Sequence, residues 1–385
     1  MRANLFFFLC VGFVGAVFTC SWLPIPFWVL ASACPAACAM SVWLAARERN
    51  FAWAMIAGFV IAILRIALLP DVFSVSMPFL TWLAVRISML SQSFGSVFGR
   101  IYPEPIASFA QGILTGSAGV RLDAGFMQAL RTTSTLHLIA VSGYNVTLVA
   151  SYGYKLFHWL TVPRKMIWMF VLASLAVFTA FVGAPSSAVR AGIMASLAVI
   201  AERFYRTGYG RNALAFAAAV MLFGQPSIAM DLGFQLSFLA TVGIMGIAPI
   251  FSSVGRNQPE KSSEWRQMAV ETLCAQALVM PVLISKSGIV SLLGLAANFI
   301  VLPLIPAAMA VSFAAGMGFL FWNALGRAIA FVSLPFFLFI THAITWFASL
   351  PFAAVNVAGI SGIWIAAYYA IVVLLVFRKT NKVHA

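Results

Sequence analysis

Apolar runs of spanning length recur along this chain from one end to the other. Leu5–Trp22 is followed by Phe27–Ala46 and Phe51–Leu69, separated by a Pro24-x-Pro26 turn and the charged stop Arg47-Glu48-Arg49-Asn50. A helix crosses the hydrocarbon layer in about 20 apolar residues, so each run fits a span. A cleaved secretory signal is not followed by two more spans, which excludes that reading of the first run. Charged residues are 8% of the chain and hydrophobic residues 63%, against about a quarter charged in soluble domains. Nine carboxylates and 23 basic groups cannot coat a water-facing surface of this size, so a soluble core, a disordered chain and a coiled coil are all excluded. The fold class is therefore all-α polytopic membrane protein.

Basic residues orient the spans, because Lys and Arg concentrate in cytoplasmic loops. Arg47 and Arg49 put the N-terminus inside and Asp71 outside. Leu136–Phe157 leads to Lys155, His158, Arg164 and Lys165 inside. Met166–Val182 goes out, Ser186–Ala201 returns to Arg203, Arg206 and Arg211, and Asn212–Phe223 and Leu232–Phe251 lead to Arg256, Lys261 and Arg266. Met268–Ser285 exits again. If residues 289–302 form a half-helix ending at Leu302-Pro303-Leu304-Ile305-Pro306, then Met309–Leu325, Ala328–Leu350 and Gly359–Phe377 cross, and both Arg327 and the Arg378-Lys379 tail fall inside. Ile106–Thr115 is half the length of a span and is expected to be buried or re-entrant. Val85–Phe98 mixes Arg86, Ser88, Ser91, Gln92 and Ser93 with apolar residues and predicts an amphipathic helix in the outer interface. The expected organisation is a three-helix segment (1–70), an outer loop with the amphipathic helix (71–105), a core (106–306) and C-terminal spans with a basic tail (307–385). The total is about twelve spans and two half-length segments.

The net charge of +14 fits orientation and attraction to anionic lipid, and also fits a polyanionic client. The site inventory points away from catalysis. Four histidines without His-x-His or His-Glu-x-x-His spacing, and a Cys34-x-x-x-Cys38 pair without a nearby His, give no metal site. There is no phosphate-binding Gly-x-x-x-x-Gly-Lys loop, and a Ser142–His137 pair lacks an orienting carboxylate. No cofactor and no enzymatic activity are expected.

Polar groups at membrane depth are expensive and need a reason. The densest set is Thr132–Thr147. On a continuous helix, His137 and Val141 share a face while Ser142, Asn145 and Thr135 lie on a neighbouring one, either lining a path or bonding helix to helix. A second set, Gly183-Ala-Pro-Ser186-Ser187-Ala-Val-Arg190, starts a helix with Ser186 or Ser187 as N-cap; Arg190 there attracts an anion or snorkels to the interface. In the third, Asp231-Leu-Gly-Phe-Gln235-Leu-Ser237, Asp231 is expected to start its helix or to pair with Arg190 or Arg131.

Taken in order, these stretches resemble the ComEC competence-protein family. Gly112-Ile-Leu-Thr-Gly116 and His137-Leu-Ile-Ala-Val-Ser-Gly143-Tyr-Asn-Val146 are similar to its "G-L-L-x-G" and "H-L-L-A-I-S-G-x-H/N-V" blocks. Gly183-Ala-Pro-Ser-Ser-Ala-Val-Arg-Ala-Gly-Ile-Met194 is similar to "G-x-x-x-S-x-V-R-A-x-x-M", and Phe234-Gln-Leu-Ser-Phe238 and Ser291–Pro303 follow two more blocks in the same order. The resemblance implies a channel in the bacterial cytoplasmic (inner) membrane that passes single-stranded DNA inward during natural transformation. By similarity, the path is lined or braced by His137, Ser142, Gly143, Tyr144, Asn145, Ser186, Ser187, Arg190, Asp231, Gln235 and Asn298. Residues 71–105 are too few for the OB-fold many members carry, no nuclease domain follows Phe377, and Asn145 replaces a frequent His. A separate DNA receptor, nuclease and cytoplasmic helicase are then expected as partners beside membrane lipid, with the path inside one protomer or between copies of a homo-oligomer. A secondary transporter or channel for a smaller anion, built on the same core, is the alternative.

Overall fold

A computed structural model describes residues 2–22, 54–58, 60–62, 78–116, 120–139, 143–204, 210–252, 264–357, 364–365 and 367–372. Its helices are α1 (Arg2–Trp22), α2 (Pro78–Ile101), α3 (Ile106–Thr115), α4 (Ala124–Thr132), α5 (Gly143–Trp159), α6 (Arg164–Phe181), α7 (Ser186–Arg203), α8 (Gly210–Gly224), α9 (Leu232–Val242), α10 (Ala248–Ser252), α11 (Glu264–Ser287), α12 (Gly294–Val301), α13 (Ile305–Phe321) and α14 (Asn323–Ser349). A π-helical turn, Gly243–Ile247, joins α9 to α10. Strands β1 (Ile289–Ser291) and β2 (Ala354–Asn356) pair antiparallel, with Ile289 opposite Asn356, a small departure from the expected all-helical architecture. Among the described residues, four helical stretches are long and apolar enough to cross a membrane: Arg164–Phe181, Ala269–Lys286, Gly294–Phe321 and Asn323–Ser349. This is a helical membrane protein. Pro281 and Pro335 sit inside α11 and α14, a position tolerated in membrane helices because neighbouring groups satisfy the freed carbonyls. The expected span Phe27–Ala46 lies outside the described residues, as do most of Phe51–Leu69 and Gly359–Phe377.

The chain forms two compact units. The first comprises Met1–Ala84, Gly143–Thr179 and Ser186–Phe238. Here α1 packs on α8 through Phe13, Ala16, Val17, Ala218, Met221 and Leu222, joined by Phe234 of α9. Gly12 and Gly58 let α1 and the helical residues 54–58 meet backbone to backbone: a Cβ at Gly12 would fall on the Met55 carbonyl, and one at Gly58 on the Leu9 carbonyl. Without a hydrophobic force between helices in lipid, such close approach supplies the dispersion contacts that hold them. A second patch joins α5, α6 and α7 through Val146, Ile167, Val171 and Leu175, packed against Ala191, Ala195 and Val199.

The second unit comprises Val85–Ser142, Ala180–Pro185 and Leu239–Ala385. Its core gathers Phe98, Phe109, Ile113, Leu130, Phe337, Ile340 and Ile344. Phe109 meets Phe126 at 5.5 Å and Phe337 at 6.1 Å edge to face, the arrangement that ring quadrupoles favour. Helix α3 is almost wholly buried, as its half-span length suggested, and a Cβ at Gly112 would lie 2.6 Å from Ile139 Cγ2.

Two expectations are corrected. The half-helix over residues 289–302 does not turn back: α12 runs through one 3-10 turn, Leu302–Leu304, into α13, giving a 28-residue apolar stretch. Pro303 and Pro306 occupy the first positions of the segments they start, where proline's missing N–H costs nothing, so they mark a joint rather than a stop. The predicted amphipathic helix is the 24-residue α2, whose buried side carries Ile87, Ser91, Phe94, Val97 and Phe98, while Arg86, Gln92, Ser93, Ser96 and Arg100 are exposed beside Met89 (53%) and Leu90 (65%). Finally, Leu136–Phe157 is not one continuous helix. A 3-10 turn, Leu136–Leu138, follows Ser134, whose φ of 54° ends helical propagation, and α5 is described from Gly143 onward.

Candidate functional site

In the first unit, α7 brings Ser186 and Arg190 to one face, one turn apart. The chain enters α7 through Gly183 (φ 83°) and Ala184 (φ 50°), and a non-glycine residue in that region signals a constrained turn. Ser186 does not cap its own helix as expected. Its hydroxyl donates to Asp231 Oδ2 at 2.7 Å, and the same oxygen accepts the Phe234 N–H at 2.7 Å. Asp231 thus caps the start of α9, as one reading of the sequence held. Gly233 leaves room for this bridge, since a Cβ there would lie 2.9 Å from Ser186 Oγ.

Arg190 is 9% exposed. It does not snorkel, and the expected pairing with Asp231 is absent: the carboxylate is already engaged, and the guanidinium turns elsewhere. Nη1 donates to the Ser237 carbonyl at 2.6 Å, the head lies 5.7 Å from the Phe238 ring centre, and Nε has no partner. Gly143 of α5 also comes close; a Cβ there would be 3.5 Å from Nη2. No carboxylate meets Arg190 among the described residues, so a buried positive charge rests on one carbonyl and one aromatic face. Isolated buried charges are costly, and such a group needs an anion or water as companion.

The remaining candidates divide. Gln235 Nε2 donates to the Ala229 carbonyl at 2.8 Å, tying α9 to the 3-10 turn before it. Asn145 is buried on α5, and Ser187 is half-buried in the first turn of α7. Ser142 and the side chain of Tyr144 lie outside the described set. His137 and Asn298 belong to the second unit. His137 is exposed, with Nδ1 3.1 Å from the Ser134 carbonyl, and it sits in a 3-10 turn rather than on the continuous helix expected. Val141 lies outside the described residues. Asn298 is 4% exposed and its Oδ1 has no partner; Ser291 Oγ is likewise buried and unpartnered. In the second unit an open depression of about 720 Å³ is lined by Phe321, Trp322, Asn323, Ala324 and Arg327, none of them a residue singled out from sequence for the path. Ser237 and Phe238, which hold the guanidinium, were not singled out as site residues from sequence. Their signal was the position of Arg190 alone, since any buried arginine requires an acceptor and a face to rest on.

The orphan Oδ1 yields a prediction. Leaving a buried acceptor unsatisfied costs about 1–3 kcal/mol, so Asn298→Leu is expected to raise thermal stability in detergent. If the group serves transport, the same variant lowers solute entry; unchanged stability and unchanged entry together would show that Asn298 does neither.

A helical membrane protein with a buried arginine that meets no carboxylate among the described residues is the class these features define. The Competence protein family model matches residues 113–382, more than half of the chain, and the chain belongs to that family. It is 22% identical over 216 residues to ComE operon protein 3 of Bacillus subtilis (strain 168), covering 54% of this chain and 27% of that protein. The match thus spans about a quarter of that relative's length. No solved structure matches this chain.

Proposed function

We propose that this protein conducts single-stranded DNA across the bacterial cytoplasmic membrane during natural transformation, with both termini on the cytoplasmic side. It acts as a conduit without catalysis. Strand capture, degradation of the complementary strand and pulling fall to a separate receptor, nuclease and helicase. A DNA strand carries one negative charge per nucleotide and cannot enter hydrocarbon bare, so its path must supply cations and water. The observation that carries the reading is Arg190, buried within the stretch that resembles a family block and meeting no carboxylate among the described residues. Membership of the competence family supports the physiological setting.

The test is uptake of labelled DNA in a deletion strain complemented with wild-type or Arg190→Gln protein, with membrane levels checked for each. Hydrogen bonds to charged groups are worth about 1.5–3 kcal/mol, so loss of Arg190 should lower entry about tenfold or more. Normal transformation in the deletion strain overturns the proposal. Purified protein in liposomes separates the alternative: entry of inorganic phosphate without entry of oligonucleotide means a small-anion carrier.

A further inference from the structure

Helix α5 lies alongside a helix that crosses the membrane. It turns back onto α6 (Arg164–Phe181), one of the stretches apolar enough to span. Val146 of α5 shares a packed cluster with Val171 and Leu175 of α6, and the Phe157 and Phe170 rings lie 5.3 Å apart nearer the turn. The two helices therefore run side by side, and what α5 presents outward is presented at the depth that α6 crosses.

The outward side of α5 is polar. Thr147, Ser151, Tyr154 and His158 follow one another at steps of four, three and four residues, which sets them on one strip of a 3.6-residue helix, and all four are exposed. The side turned toward α6 and α7 carries Val146, Val149, Ala150 and Phe157 instead. One hydroxyl is tolerated in lipid when it bonds its own helix, as Thr147 does to the Gly143 carbonyl at 3.1 Å. Four polar side chains on one strip, about 16 Å long, leave no apolar surface there for acyl chains. Polar groups at membrane depth face the bundle interior or water.

Charge at the end of the strip indicates what moves along it. Lys155, His158, Arg164 and Lys165 gather where α5 turns into α6, with Lys155 Nζ 5.4 Å from the Tyr152 ring centre. Residues 143–181 contain no Asp or Glu. This balance disfavours a cation and draws an anion. Neutral hydroxyls along the strip hold phosphates only weakly, as passage requires, and Tyr154 offers a flat face to bases of any identity.

We infer that the Thr147–Ser151–Tyr154–His158 face of α5 is a wall of the water-filled path along which the strand moves. This rests on the DNA-conduit reading and adds the surface that the strand slides over. It is not the α5 surface expected from sequence, since Asn145 is buried.

The experiment uses the full chain in proteoliposomes, carrying Thr147→Cys, Ser151→Cys or Tyr154→Cys, and measures reaction with a charged, water-soluble methanethiosulfonate. The five native cysteines set the background, and Val177→Cys, at an exposed apolar position of α6, is the lipid-facing control. The reagent attacks the thiolate, which forms in water and not in hydrocarbon, so Thr147→Cys and Ser151→Cys should react at least about tenfold faster than Val177→Cys. An oligonucleotide should shield Ser151→Cys while inorganic phosphate does not, and modification of Ser151→Cys in cells should stop entry of labelled DNA. Reaction no faster than that of Val177→Cys places the face against lipid, and an oxidative cross-link between two Ser151→Cys chains places it against a second copy; either result overturns the inference. Shielding by phosphate and not by oligonucleotide overturns the strand as occupant. If the face is dry while deletion of the gene abolishes transformation, the conduit reading stands with another wall. If the face is wet while deletion leaves transformation intact, the water-filled wall stands and the conduit reading falls.

Discussion

Gly326→Ala is expected to cost about 3 kcal/mol or more of folding stability and to deplete monodisperse protein in detergent. Helices α13 and α14 are joined by a short turn and fold back on each other with Gly318 and Gly326 at the crossing. A Cβ at Gly326 would lie 2.5 Å from both the Cα and the backbone N of Phe319, distances real Cβ atoms do not adopt. Backbone cannot rotate away as a side chain does, so the two helices must separate along their length. Two of the four stretches apolar enough to span the membrane would then lose their mutual packing. Gly316→Ala is the comparison. Its added Cβ would meet the tip of the Phe94 ring at 2.8 Å, and a ring can tilt, so the cost should be about 1 kcal/mol. Thermal unfolding of both variants gives the contrast; equal stability for Gly326→Ala and wild type would mean the helices do not cross there.

Glycines of this kind show where sequence reading succeeds and where it stops. Apolar run length and the scarcity of charge were enough to read a helical membrane protein, because both follow from what hydrocarbon tolerates. The buried half-span α3 and the close approach at Gly112 were legible for the same reason. The α12–α13 joint was not. Pro303 and Pro306 signal that hydrogen bonding is interrupted, but whether a helix reverses or resumes depends on what packs beside it. Helix α2 was legible as an amphipathic helix, because its Phe, Val and Ile residues share a buried side while Arg86, Gln92, Ser93 and Ser96 are exposed. Which side meets lipid is not set by that pattern. Arg190 was legible as an unusual residue, and its acceptor, the Ser237 carbonyl, was not, since backbone acceptors leave no mark in composition.

Asp231 separates the structural and electrostatic roles of the same cluster. Asp231→Ala removes the acceptor for the Ser186 hydroxyl and for the Phe234 N–H, each at 2.7 Å. An N-cap is worth about 0.5–2 kcal/mol, and the second bond adds to that, so a loss of about 1–3 kcal/mol is expected in thermal unfolding. Asp231→Asn keeps an oxygen that caps nearly as well as the carboxylate, so its cost should stay below about 1 kcal/mol. It nevertheless removes a negative charge whose partner Ser186 is one turn from Arg190. An anion approaching that guanidinium is then repelled less, and a labelled oligonucleotide should bind detergent-purified Asp231→Asn protein several-fold more tightly than wild type at low ionic strength. The gain should shrink as salt is raised, because the interaction reaches across partly exposed space that ions screen. Tighter binding in the asparagine variant, with stability nearly intact, distinguishes a carboxylate that tunes the arginine from one that only caps α9. Unchanged affinity at every salt concentration would leave Asp231 as a cap alone, and the charge on Arg190 would have to be balanced by another group.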